Sequence, residues 1–540
     1  MVDAVVIGAG PNGLVAANLL ADAGWSVEVL EEQPEPGGAV RSDREVDPAF
    51  VTDVFSAFYP LAAASPVLRA LRPEDEGLRW SHAPRVLAHP LPDGRCAVLD
   101  RDPDATAAGL DAFAPGDGDA WRELCAIWNR VGADLLDCLF TPFPPVRAGM
   151  RLLTRARAAG GVRLARQVLL PARRFGEEHF AGEGGRLLVA GNALHADLSP
   201  ESALGGGFGW LMSMLAQQVG FPVPVGGASA LTGALVRRLE HRGGAVRCGR
   251  RVTEVVVRDG RAVGVRTAAG DAVRARRAVL ADVSAPALFT HLVAAEHLPP
   301  RLLADLRRGF QWDFSTFKVD WALDGPVPWA AEGAASAGTV HLADGVDDLT
   351  RFAAQIATRH VPDRPFALFG QMTTADRTRS PEGTEAAWAY THVPQDVRGD
   401  AGDDGLTGAW DRREQEAMAD RLEARVARYA PGFQDRVRGR RILAPPTLQA
   451  MDANLRGGAI NGGTTALHQQ LLFRPTPGSG RPETPVEGLY LASSAAHPGG
   501  GVHGAPGANA ARAALRGPAV RAVLGCVRRA AGRRARDDGG

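Results

Sequence analysis

Ala4-Val5-Val6-Ile7-Gly8-Ala9-Gly10-Pro11-Asn12-Gly13 decides the fold. Four consecutive apolar residues form the kind of run a strand buried on both faces requires, and GxGxxG follows without a spacer. Leu14, Val15, Ala17, Leu19 and Leu20 then predict a helix ending by Gly24, and Val27-Glu28-Val29-Leu30 predicts a second strand that stops at Glu31. In this order Gly8 makes the tight turn, Gly10 admits a pyrophosphate close to the backbone, and Gly13 lets the helix lie against the strand. The helix start offers free N–H groups and the positive end of its dipole to phosphate. Glu31, eighteen residues beyond Gly13, is placed to accept from ribose hydroxyls and would repel a 2'-phosphate. A dinucleotide-binding βαβ unit follows; the motif does not by itself separate FAD from NAD.

Two further segments narrow the choice. Gly37-Gly38-Ala39-Val40-Arg41-Ser42 adds a glycine pair for close backbone approach and an Arg whose planar fork suits phosphate oxygens. Near the other end, Leu489-Tyr490-Leu491-Ala492-Ser493-Ser494 precedes His497-Pro498-Gly499-Gly500-Gly501-Val502-His503-Gly504 and a helix predicted over Ala508 to Leu515. Between them stand Gly226-Gly227-Ala228-Ser229, a helical stretch through Leu239, and short apolar runs beginning at Ala245, Val252, Ala262 and Ala278.

Together these segments resemble the FAD-dependent phytoene desaturase and carotenoid oxidoreductase flavoproteins. The nearest likeness is to the phytoene-dehydrogenase-like group that includes the pyridine nucleotide-disulfide oxidoreductase domain-containing proteins. The resemblance implies an FAD cofactor contacted by Gly8, Gly10, Pro11, Asn12, Gly13, Glu31, Gly37, Gly38, Arg41, Val252, Ser494, Gly500, Gly501, Val502 and Ala508. It also implies an α/β fold, with a Rossmann-type FAD-binding domain of parallel sheet plus β-meander interleaved with an α+β substrate domain. On that division, residues 1–75, 215–290 and 440–520 hold the cofactor. Residues 76–214 and 291–439 form the substrate domain, and 521–540 are a basic C-terminal tail. Many flavoproteins carry an Asp in the last motif, where Ser493 and Ser494 stand here; the desaturases also lack it.

Composition agrees with a large globular chain. The 540 residues carry 61 basic and 61 acidic side chains, so net charge offers no reason for a nucleic-acid partner. Five cysteines contain no CxxC pair, which argues against a disulfide framework or a redox-active disulfide. The first strand begins at once and no run of eighteen apolar residues occurs, so the expected location is cytoplasmic. The thirteen histidines show no HExxH or regular metal spacing, and no metal is expected. Oligomeric state has no signature in the sequence.

Between Asp137 and Glu177 stand eight arginines and no acid: Arg147, Arg151, Arg155, Arg157, Arg163, Arg166, Arg173 and Arg174. Interleaved leucines and valines make the stretch amphipathic, suited either to peripheral contact with an anionic membrane or to a solvated face. Against this arginine-rich background Lys318 is the single lysine. It lies on an alternating strand, Phe317, Val319, Trp321 and Leu323 facing one way, Lys318 and Asp320 the other. Related amine oxidases use a substrate-domain lysine to hold a water against the flavin. That resemblance makes Lys318 a candidate catalytic residue lining the flavin cavity; the competing reading is a solvent-facing residue paired with Asp320. His503 is a second candidate, able to orient substrate or assist a proton, whereas His497 shapes the loop. The expected activity is dehydrogenation of a lipophilic, isoprenoid-type small molecule by hydride transfer to flavin, with oxygen or a quinone as acceptor. Amine oxidation is an alternative, and an escort or binding protein on the same fold is a third.

Overall fold

A computed structural model describes residues 1–517, so the basic tail at 521–540 and Cys526 lie outside the described residues. The opening unit forms as the pattern requires. Strand Val2–Ile7 ends at Gly8, and helix Pro11–Asp22 starts on Pro11, whose missing N–H and fixed φ suit a first helical position. Strand Val27–Leu30 then lies parallel to the first, pairing Ala4 with Val27 and Ile7 with Leu30. Val5, Val6, Val15 and Val29 are fully buried, each contributing about 1.5–3 kcal/mol of burial.

This sheet is built from three separated parts of the chain. Ala272–Ala281 pairs parallel to Val2–Ile7 through its second half and antiparallel to Arg261–Thr267 through its first. It is therefore both the end of the meander Val252–Arg258, Arg261–Thr267 and a member of the parallel sheet. Ala245–Arg247 extends the sheet beyond Val27–Leu30, and Leu489–Leu491 adds a parallel neighbour on Ala272–Ala281. The parallel sheet with a β-meander is thus the one expected. The C-terminal helix begins earlier than the sequence predicts, at residue 505, and its Gly507 packs directly against Asn12.

A second, seven-stranded sheet runs in the order Val437–Leu443, Ser315–Leu323, Glu385–Val393, Ala367–Gln371, Ala337–Leu342, Arg85–Pro90, Cys96–Leu99. The strand Val437–Leu443 straddles the boundary drawn at 440, since it pairs with Ser315–Leu323 along its length. The odd residues of Ser315–Leu323 do enter an apolar core; Trp321 stacks on Phe369 at 5.9 Å and meets Phe433 edge-on at 5.3 Å. The even residues are not solvent-facing. All nine positions of this strand are buried, because helices Glu183–His195 and Gly205–Val219 and the segment around Phe58 close over the other face.

Helices Val146–Ala158 and Val162–Leu169 carry the basic stretch, with Val146, Met150, Leu153, Val162 and Leu169 exposed. Its positive charge is partly neutralised: Arg151 and Arg155 pair with Asp134, Arg166 and Arg174 with Glu178, and Arg173 with Glu201. No helix among the described residues is long and apolar enough to cross a membrane. Cys96, Cys125, Cys138 and Cys248 are free thiols.

Candidate active site

A single cavity of about 560 Å³ runs from Glu31 and Val252, past the glycine loops, to a chamber between the two sheets. The first loop forms one wall. Gly8 sits at φ +93°, and a Cβ on Gly13 would stand 2.2 Å from the Gly8 carbonyl oxygen, so the loop closes on itself only with glycine. A Cβ on Gly507 would meet the Asn12 carbonyl oxygen at 1.9 Å, which is how residues almost five hundred positions apart share a wall. The Glu31 carboxylate accepts from the Ala9 N–H at 2.7 Å and the Gln33 N–H at 2.9 Å, which aims it into the cavity mouth.

Gly8, Gly10, Pro11, Asn12, Glu31, Gly38, Val252, Ser494, Gly500, Gly501 and Val502 all line this cavity. Four residues named with them stand behind the wall. The Gly13 N–H is taken by an Asp282 carboxylate oxygen at 2.8 Å. Gly37 donates to the Ala9 carbonyl. Arg41 is turned away from the cavity: its guanidinium donates to the carbonyls of Gly38 at 3.0 Å and Met451 at 2.9 Å and lies over the Phe55 ring. It clamps the glycine pair instead of offering a fork to phosphate. Ala508 is fully buried within the C-terminal helix, its N–H bonded to the Gly504 carbonyl.

Three features escape the sequence patterns. Asp282, the residue after Ala272–Ala281, inserts its carboxyl into the first loop, 2.8 Å from where a Gly10 Cβ would stand. Burial, with the nearby charges of Asp452 and Glu31, pushes it up to about 8; burial likewise pushes Asp452 up to about 6. Asn454 braces Asp282 by donating to its carbonyl at 3.2 Å. Arg474, only 1% exposed, donates to the carbonyls of Asn461, Gly463, Thr464 and Ser494 and staples the loops that meet at Gly500. Burial draws it down to about 10. No spacing rule in the sequence reveals what Asn454 and Arg474 brace.

Lys318 reaches the cavity wall and is paired with Asp320, but it does not face solvent as the competing reading expects. Its Nζ donates to the Asp53 carbonyl at 2.9 Å and to Asp320, and lies 5.8 Å from the centre of the Trp388 ring. Arg441 holds the other oxygen of Asp320 at 2.8 Å. Burial lowers the Lys318 pKa and Asp320 opposes that shift. An ammonium has three donors, and two are engaged by the protein, leaving one for the cavity.

His503 also lines the cavity, but both ring nitrogens are engaged within its own loop. Nδ1 accepts from the Ala505 N–H at 3.1 Å and Nε2 lies 3.2 Å from the Gly500 carbonyl oxygen. Burial holds it down to about 4. A neutral imidazole with both nitrogens occupied has no site for a substrate proton, so this geometry opposes the proton-transfer role expected for His503 and makes it a loop brace. His497 is held similarly, with Nε2 3.1 Å from the Thr141 carbonyl oxygen.

The residues fit a flavin dinucleotide. The cavity joins a buried carboxylate at one end, a glycine-lined channel beside a helix start, the orphaned amide oxygen of Asn12, and a chamber with a lysine at its wall. A Rossmann-type unit joined to such a chamber defines an FAD-dependent oxidoreductase. The chain belongs to the family described as flavin containing amine oxidoreductase, whose profile matches residues 12–383. It is 29% identical to pyridine nucleotide-disulfide oxidoreductase domain-containing protein 2 of Mus musculus, covering 95% of this chain and 93% of that one. It is 23% identical to the neurosporene-forming phytoene desaturase of Rhodobacter capsulatus, over 92% and 91% of the two chains. The fold is similar to that of an oxidoreductase from Methanosarcina mazei, with a TM-score of 0.60 at 16% identity over 95% of this chain and 99% of that one.

Proposed function

We propose that this enzyme dehydrogenates a lipophilic small molecule, removing two hydrogens across a carbon–carbon bond, with oxygen or a quinone as final acceptor. The observation that carries the reading is the continuity of the cavity: its dinucleotide channel opens into a chamber walled by Phe58, Leu61, Leu139, Phe208, Leu211 and Phe221. Bound FAD supplies the acceptor for a hydride from a substrate C–H. In this reading Glu31 binds the ribose, Gly8, Gly10, Pro11 and Asn12 border the pyrophosphate, and Val252 lies at the adenine end. Gly38, Ser494, Gly500, Gly501 and Val502 enclose the ring system. Asp282 stays protonated at neutral pH and so places no charge against phosphate. Lys318 directs its free N–H into the chamber, where it holds a water or the substrate at a fixed height above Trp388. The apolar wall excludes bulk water from the reacting carbon.

The desaturase relatives support an isoprenoid-like skeleton. The family's name and the lysine at the cavity wall support amine oxidation as the second reading. The exposed apolar side chains of Val146–Leu169, with Arg147, Arg157 and Arg163 forming no ion pair among the described residues, support contact with an anionic membrane from which a lipophile is drawn. Anaerobic screening of the FAD-loaded protein against isoprenoids and amines tests the proposal. Loss of the flavin's visible band with an isoprenoid supports it. Bleaching by amines alone, with peroxide released in air, favours the second reading, and a protein that takes up no FAD returns the fold to a binding role.

A further inference from the structure

The chamber is apolar on one side only. Its helical side brings Phe208, Leu211 and Met212, but its floor is the even face of the second sheet, where Thr316, Lys318, Tyr390 and Thr339 stand together with His195 from the overlying helix. Lys318 and Tyr390 are direct cross-strand partners, and Thr339 and Trp388 both pair with Gly370 between them. The edge of the His195 ring faces Tyr390 at 6.2 Å.

These polar groups are not consumed by the fold. Among the described residues, Tyr390 Oη and both nitrogens of His195 have no hydrogen-bond partner, and the Thr316 and Thr339 hydroxyls are buried without one. Such groups are costly to leave desolvated, so a chamber filled by a pure hydrocarbon would strand at least two of them. The charge pattern narrows the complement. Lys318 is already paired with Asp320, burial holds His195 neutral with its pKa down to about 4, and burial pushes the Tyr390 phenol up so that it keeps its proton. The carboxylates that line the cavity, Glu31, Glu32, Asp282 and Asp452, all sit at its dinucleotide end.

We infer that the substrate is an oxygenated lipophile, carrying a neutral hydroxyl or carbonyl group that Tyr390 and His195 bind while the helical wall takes the hydrocarbon. The inference rests on the dehydrogenase reading and specifies its substrate class. Tyr390 donates to either kind of oxygen, and the neutral imidazole supplies one donor and one acceptor in either tautomer.

The test uses the FAD-loaded full chain and three probes of one skeleton: geranylgeraniol, the corresponding hydrocarbon and the corresponding primary amine. Binding is read from the shift of the flavin spectrum. The alcohol should bind about 10- to 100-fold tighter than the hydrocarbon, and Tyr390→Phe should remove most of that preference while leaving hydrocarbon affinity unchanged. If Tyr390→Phe fails to retain flavin, His195→Asn with Thr339→Val provides the same comparison from the other partners. Equal or tighter binding of the hydrocarbon overturns the inference but leaves the lipophile reading standing. Tightest binding of the amine overturns it in favour of amine oxidation. If no probe perturbs the flavin, the lipophile reading fails with it.

Discussion

Replacing Asp282 with Asn should uncouple FAD binding from alkaline pH. In the free protein the Asp282 carboxyl is buried inside the first glycine loop, accepts the Gly13 N–H at 2.8 Å, and faces Glu31 and Asp452; its pKa is pushed up to about 8. Arg41, whose charge acts on Asp452, is committed to main-chain carbonyls. The neutral form therefore predominates at pH 7, and an anionic pyrophosphate arriving at the same loop favours it further. Raising the pH through about 8 ionises the group, so binding FAD then requires proton uptake, and the dissociation constant should rise tenfold per pH unit, about 1.4 kcal/mol each. Between about pH 7 and pH 9.5 that amounts to roughly a 30-fold weakening. Asn keeps the acceptor for Gly13 but has no proton to lose. Equilibrium dialysis of FAD across this range should give a falling affinity for the wild type and a flat line for Asp282→Asn. A flat wild-type profile, or the same fall in the variant, refutes the reasoning.

Glu31→Gln should weaken FAD binding by about 10- to 100-fold at pH 7, since it removes a charge-assisted acceptor from two N–H groups and a ribose; the same dialysis measures it. Gly13→Ala, whose Cβ would stand 2.2 Å from a carbonyl oxygen, should cost about 1–3 kcal/mol or more and yield flavin-free protein, checked by thermal midpoint and visible spectrum. Lys318→Met should slow flavin reduction or reoxidation by about tenfold or more in stopped flow, while Arg441 still neutralises Asp320; unchanged rates in both half-reactions remove Lys318 from the mechanism. His503→Gln should leave the pH profile of reduction above pH 5 unaltered, because a pKa of about 4 places no titration there. Met150→Glu with Leu153→Glu should reduce co-sedimentation with phosphatidylserine vesicles, these side chains being 62% and 63% exposed.

The opening βαβ unit was legible because each part is local: an apolar run, a glycine turn, a helix with Pro at its start and an acid at the end of the second strand. The meander was legible through the resemblance of its segments to the desaturase flavoproteins. What sequence could not show was the direction in which long side chains turn. Arg41 follows a glycine pair as a phosphate-binding Arg would, yet two carbonyls on the other side of it take its guanidinium. Asp282 ends a strand like many loop residues, and only the convergence of that strand on residues 8–13 makes it part of the site. Lys318 stood out by scarcity and by resemblance; that the even face of its strand is roofed by helices depends on contacts between segments far apart in the chain. The same roofing exposes the chemistry of Tyr390 and His195, which no spacing links.

In the proposed function one cavity joins bound FAD to a lipophile. Anaerobic titration of the FAD-loaded protein with an oxygenated isoprenoid, followed in the flavin's visible band, tests it most directly. Stoichiometric bleaching of the flavin and a product with one more double bond are the expected result. A protein that fails to retain FAD, or whose bound flavin no lipophile reduces, contradicts it.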